Sequence, residues 1–93
     1  MALRKKRTIP NDIRKFRRRE NLRIVEVAEL ADVADASLVS HWENGRKIPT
    51  LQNALRLSAI IHCPLEVLYF ELYDRFRKEA KNRKNTDHQI QKP

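Results

Sequence analysis

The chain has one glycine, Gly45, and one cysteine, Cys63, in 93 residues. A lone cysteine excludes an internal disulfide framework and points to a reducing compartment. Period-2 alternation is never sustained, and no Asn-Gly or Asp-Gly hairpin lies between alternating runs, so strand signals are few. No apolar run approaches the ~20 residues that a membrane span needs. No apolar stretch of signal-peptide length follows the basic opening MALRKKR, so neither a membrane partner nor a secretory signal is expected. The chain is also too short for barrel or doubly wound catalytic architectures. What it has in plenty is positive charge. Twenty Lys and Arg against twelve Asp and Glu give +8 and a pI near 10.2. Hydrophobic residues still make up 41%, enough for one modest core rather than a basic tail. A small, cytosolic domain with a polyanion as first candidate partner is expected.

The charge sits at the two ends. Residues 1–23 carry ten basic side chains against two acids, residues 24–69 three against six, and residues 70–93 seven against four. The basic excess begins with Arg4, Lys5, Lys6 and Arg7. It continues through Arg14, Lys15, Arg17, Arg18 and Arg19 to Arg23.

Helical periods dominate between the charged ends. Asn11 or Asp12 can cap a first helix to about Glu20, with Ile13 and Phe16 inward. A second is expected over about Ile24–Ala31, with Val27, Ala28, Leu30 and Ala31 inward. Asp35-Ala36-Ser37 offers a capped start for a third, which reaches about Asn44 with Val39 and Trp42 on its inner face. Gly45 is its natural left-handed stop. Pro49-Thr50 introduces a fourth, about Leu51–Ile61, with an expected inward stripe of Leu51, Ala54, Leu55, Ser58 and Ile61. Pro64 opens a fifth, about Leu65–Leu72, and Phe70, Tyr73 and Phe76 extend an aromatic face beyond it. From about Lys81 the chain is polar and aperiodic and reads as frayed.

The informative stretch is Val27 to Thr50: two short helices joined by a tight turn, with small Ala28 allowing close crossing. With Val39 and Trp42 inward, Ser37, Ser40, His41 and Asn44 turn outward. A helix presented in this way fits the DNA major groove. The segment Val39-Ser40-His41-Trp42-Glu43-Asn44-Gly45-Arg46-Lys47-Ile48-Pro49-Thr50-Leu51 resembles the signature of phage-repressor helix-turn-helix domains, the Cro/cI-like or XRE family. Pro64-Leu65-Glu66-Val67-Leu68-Tyr69 resembles that family's fifth-helix ending. The resemblance covers about Ile13–Tyr69. It departs from the family pattern where Asp32 replaces a turn glycine, where Arg23-Ile24 replaces a Ser/Thr-Gln pair, and where His62 replaces a helix-ending glycine. The Val33-to-Trp42 spacing is also longer than usual, which implies an enlarged turn or a later third helix.

The resemblance implies an all-α, five-helix, lambda-repressor-like bundle. Residues 1–10 would form a basic arm, 11–72 the DNA-binding domain, and 73–93 a helical extension with a basic tail. It implies base contacts from Ala36, Ser37, Leu38, Ser40 and His41. Phosphate contacts would come from Arg23, Asn44, Arg46 and Lys47, with Arg14 and Lys15 approaching from the first helix. The function implied is a sequence-specific, double-stranded-DNA-binding regulator, a repressor, in the bacterial or phage-infected cytoplasm, with no cofactor and no catalytic or metal site. No Arg, Gln or Asn stands early in the reading helix for a bidentate base contact, so phosphates and DNA shape are expected to carry much of the affinity.

Other readings stay beside this one. Ser40 and His41 are helix neighbours that cannot face each other as nucleophile and base, so an enzyme is the least suited class. His62-Cys63 has no second pair at metal spacing. Trp42 and Cys63 read as core. The aromatic run with Phe70, Tyr73 and Phe76 can serve a homodimer or fold back on its own core. An antitoxin-like module that caps a protein partner through residues 70–93 is one alternative, and a charge-driven nucleoid or RNA binder is another. Deleting residues 1–7 is expected to weaken binding to all duplexes alike. It should also shallow the log–log salt slope by about 0.9 for each phosphate that is no longer neutralised. Titrations across a salt series measure this, and unchanged affinity would leave the arm a solubilising role only.

Overall fold

The computed structural model describes residues 8–91, with side chains through residue 85. The basic cluster Arg4–Arg7 lies outside the described residues. The helices are α1 (Ile13–Arg19), α2 (Ile24–Leu30), α3 (Ala36–Glu43), α4 (Leu51–Ile61), α5 (Leu65–Leu68) and α6 (Phe70–Gln91). The described chain is all-α, with six helices where the sequence suggested five. The expected fifth helix splits at Tyr69, whose backbone (φ −118°, ψ 51°) leaves helical geometry. The stretch beyond Lys81 that read as frayed continues α6 to Gln91.

Four successive helices end in one way. Asn21 (φ 60°), Asp32 (φ 59°), Gly45 (φ 74°) and His62 (φ 53°) take the left-handed conformation just past α1, α2, α3 and α4. At each, the next N–H reaches back to a carbonyl of the final turn: Leu22 to Arg17, Val33 to Ala28, Arg46 to His41 and Cys63 to Ser58, all within 2.9–3.1 Å. This is the Schellman closure, usually built on glycine. Asn and Asp tolerate the left-handed region better than other residues with side chains. Asp32 and His62 therefore stand in for the expected glycines. Gly45 has no substitute, because a Cβ there would stand 2.5 Å from the Ile9 carbonyl oxygen.

The helix starts are equally local. Asp12 stands at the N-cap position of α1 without a side-chain bond, and Asn11 supplies the side-chain acceptor, its Oδ1 accepting from Ile13 N at 3.0 Å. Asp35 caps α3, and Thr50 Oγ1 accepts from Asn53 N to cap α4. The linker between α2 and α3 spans Ala31–Asp35, and α3 begins at Ala36, the start expected from Asp35-Ala36-Ser37.

Ile13, Val27, Ala28, Val39, Trp42, Leu57, Ile61, Cys63 and Leu68 form the core. Trp42 and Cys63 are buried as expected, and burial pushes the Cys63 thiol pKa up. Three expected core leucines are outside: Leu30 (61% exposed), Leu51 (72%) and Leu55 (53%). At about 100° per residue, Leu51 lies about 100° and Leu55 about 140° from the Leu57–Ile61 line that meets the core. Leu30 is displaced similarly from the line of Val27, Ala28 and Ala31. The inward stripe of α4 therefore runs through Leu57 and Ile61 rather than through Leu51 and Leu55.

α6 extends away from this core, giving dimensions of 55 × 42 × 22 Å and a radius of gyration of 16.9 Å.

One buried ion pair joins α1 to α3. The Arg17 guanidinium donates to both Glu43 carboxylate oxygens, through Nε to Oε2 and through Nη2 to Oε1 at 3.1 Å. Its Nη1 donates to the Leu22 carbonyl at 2.8 Å. The Glu43 side chain is wholly buried. Arg17, counted in the basic excess of the first helix, is thus an internal strut. Removing one member of such a pair leaves an uncompensated charge, so Glu43→Ala should lower unfolding free energy by about 3–5 kcal/mol. The double change Arg17→Met with Glu43→Leu should recover most of that loss, because apolar replacement removes both charges together. Urea denaturation measures both variants, and a loss below about 1 kcal/mol for Glu43→Ala, the range of exposed pairs, would contradict the strut.

Candidate nucleic-acid interface

α2, the Ala31–Asp35 turn and α3 pack as one unit. Val39, Trp42 and Glu43 are the buried residues of α3. Ser37, Ser40, His41 and Asn44, at i, i+3, i+4 and i+7, therefore share its other side. Ser37 and Asn44 are exposed, and Ser40 and His41 are half-buried. Ala36 and Leu38 lie on the flanks, half-buried and packed against the core. The outward position expected for Leu38 is therefore a partly internal one.

The start of α3 is fixed by charge and hydrogen bonding. Asp35 Oδ1 accepts from Ser37 N at 2.9 Å. That backbone bond, with the Ser37 hydroxyl, holds the Asp35 carboxyl below its ordinary 3.8. A carboxylate here also faces the positive end of the helix. It ties the exposed Ser37 to a defined backbone geometry.

The other end of α3 is held more firmly. Asn11 Nδ2 donates to the carbonyls of Ile9 and Trp42 at 2.9 and 3.1 Å. Ile9 N donates to Gly45 O at 2.8 Å. The segment leading into α1 thus crosses directly under the turn that carries Arg46 and Lys47. Both of these side chains are exposed, without a hydrogen-bond or ion-pair partner among the described residues.

The remaining phosphate candidates differ in how far they are committed elsewhere. Arg14 donates through Nε to Glu43 Oε1 at 3.3 Å and through Nη2 to Asn44 Oδ1 at 2.9 Å. This brings two candidates together, and it leaves the Asn44 amide nitrogen as its outward donor. Lys15 Nζ lies 5.6 Å from the Phe16 ring centroid, and the Arg19 guanidinium covers the same ring at 4.4 Å. Arg23, at the start of α2, pairs with Glu26 at 3.4 Å while its side chain stays largely in solvent. Its N–H donates to Glu26 Oε1 at 2.7 Å and holds that carboxyl below 4.5.

Sequence reasoning missed Arg17 and Glu43 as a pair, although a signal existed. Glu43 follows Val39 at i+4, which places a carboxylate on the inward face and demands a buried cation. Of the aromatic residues, Tyr73 and Phe76 line an apolar groove against α4 and α5. Phe70 lies elsewhere, beside Pro10, Asn11 and Asp12. The arrangement can present hydrogen-bonding side chains to a base edge, flanked by cations, and it holds no paired acid and base.

A family model described as Helix-turn-helix matches residues 13–68, from the start of α1 to the end of α5. No curated protein matches the chain. No helix among the described residues is long and apolar enough to cross a membrane. The depressed Asp35 carboxyl implies a sign for acid sensitivity. A carboxyl that binds its proton less readily when folded stabilises the fold above its unfolded pKa of about 4, and the effect disappears as pH falls through the lower folded value. An NMR titration of the Asp35 carboxyl should give a midpoint below 3.8, and Asp35→Asn should flatten that part of the acid limb. A midpoint at or above that value would remove the cap from the account.

Proposed function

The chain belongs to the helix-turn-helix family of the Cro/cI-like, XRE type, a family of DNA-binding transcription regulators and not of enzymes, and from that premise we propose that it recognises specific duplex sequences as a homodimer and represses transcription. The observation that carries this reading is the outward stripe of α3, set beside the exposed Arg46 and Lys47.

In this reading α3 lies in the major groove. Ser37, Ser40 and His41 meet base edges, and the flanking Ala36 and Leu38 offer apolar contact to thymine methyls. Serine hydroxyls discriminate weakly between bases. His41 therefore carries the sharpest direct readout, and the rest comes from phosphates and duplex shape. Arg46 and Lys47 grip phosphate after the helix, Arg23 grips it before α2, and Asn44 reaches it while braced by Arg14. Lys15 supplies a further long-range cation, and Arg4–Arg7 an arm. Two copies would read half-sites about 34 Å apart. Occlusion of a promoter in the cytoplasm needs nothing beyond such binding.

The test is selection of bound duplexes from a random pool, with the wild type and with His41→Ala. A two-fold symmetric site should emerge. His41→Ala should lose preference at one base pair per half-site, worth about 1–3 kcal/mol. Arg46→Ala should instead weaken all sequences similarly and reduce the salt slope by about 1. Failure of any duplex to enrich over random DNA would overturn sequence-specific recognition.

A further inference from the structure

The groove between α4, α5 and α6 is the least finished part of the surface. It holds about 360 Å³ and is walled by Pro49, Ala54, Leu65, Tyr69, Leu72 and Phe76, with Glu66 its one charged lining residue. Phe76 is 52% exposed and Tyr73 48%. The Tyr69 hydroxyl is buried without a hydrogen-bond partner, and burial pushes its pKa up to about 12. A wall with exposed aromatics and one unmatched polar atom is what a protein surface shows where something else completes it.

The sequence of α6 says what that something is. Leu72, Phe76, Ala80 and Arg83 follow one another at i, i+4, i+8 and i+11 and lie on one face of the helix. The face reads large, large, small, basic from its N-terminal end, with Glu79, seven residues after Leu72, along its edge. The charges divide the same way. Residues 65–74 carry Glu66, Glu71 and Asp74 and no cation, whereas residues 75–85 carry six cations and the single acid Glu79. A second α6 laid parallel would set cation on cation and leave Glu66 unanswered. Laid antiparallel, with Phe76 meeting its own copy, it sets Ala80 opposite Leu72 and carries Arg83 past the start of α6 at Phe70, towards α5 and its Glu66. Small then faces large, and the basic end faces the acidic one.

We propose that the groove is filled by α6 of a second copy, running antiparallel, with Phe76 on the two-fold axis and Arg83 of each copy answering Glu66 of the other. This gives the dimer of the functional reading a definite interface, and it rests on that reading. The contact is isologous, so one patch completes both grooves. Unlike charge across the rim selects the antiparallel over the parallel register.

The experiment uses the full chain, whose own thiol at Cys63 is buried, and a short bifunctional thiol reagent. Phe76→Cys should cross-link to itself. Ala80→Cys alone should not, but Ala80→Cys mixed with Leu72→Cys should. By sedimentation equilibrium, Glu66→Arg and Arg83→Glu should each raise the dimer dissociation constant about five- to tenfold, and the two together should restore it. Circular dichroism of each variant confirms that the helices persist. A dimer that cross-links through Ala80→Cys alone, or in which the double reversal restores nothing, overturns the antiparallel register while leaving dimerisation standing. A single-chain mass at about 100 µM overturns both, and a monomer that binds a different protein through this groove gives the face to a heterologous partner instead.

Discussion

The Glu43 carboxylate is the point on which the fold turns. It lies at the last residue of α3, fully enclosed, and takes two donors from Arg17 and one from Arg14. Arg17 reaches onward to the Leu22 carbonyl, so one guanidinium joins α1, the α1–α2 loop and α3. Val39 and Trp42 turn one side of α3 to the core, and the Arg17–Glu43 pair adds a second constraint to that packing. A bidentate, enclosed ion pair has directional demands that apolar packing lacks. The rotation it sets bears on which side chains of α3 face outward, so the proposed interface depends on an ion pair inside the protein.

The same arrangement changes the meaning of the charge count. Five basic residues crowd α1, and the net charge of +8 suggests a strongly cationic face. Arg17 is committed inside the protein, Arg14 is shared with Glu43 and Asn44, and Arg19 lies over Phe16. Two of the α1 cations, Arg14 and Arg17, thus tie α1 to the end of α3. The exposed, uncommitted charge next to α3 belongs to Arg46 and Lys47, in the turn after it.

The sequence made the helix-turn-helix legible because its strongest signals are local. The Asp35 cap, the Val39–Trp42 spacing, the stop at Gly45 and the Pro49-Thr50 start all act within a few residues, and each holds in the structure. The family match over residues 13–68 agrees with those signals. What stayed hidden depends on distant partners. The phase of α4 could not be read from seven apolar residues on an eleven-residue helix, where Leu57 rather than Leu51 or Leu55 is buried once α1, α2 and α5 pack against it. The pairing of Arg17 needed knowledge that α1 and α3 lie adjacent. Of the candidate DNA-facing residues, the outward positions of Ser37 and Asn44 followed from spacing alone, whereas the partial burial of Leu38 and the capture of Asn44 by Arg14 came from neighbours that are remote in sequence.

The length of α6 has a practical consequence for anyone weighing this molecule. A compact particle of this chain length would have a radius of gyration near ~12 Å, against the 16.9 Å found. The protruding rod increases frictional drag without adding mass. One copy would therefore leave a gel-filtration column earlier than a sphere of 11.1 kDa and mimic a heavier particle, so the number of copies has to be judged by a method in which shape cancels.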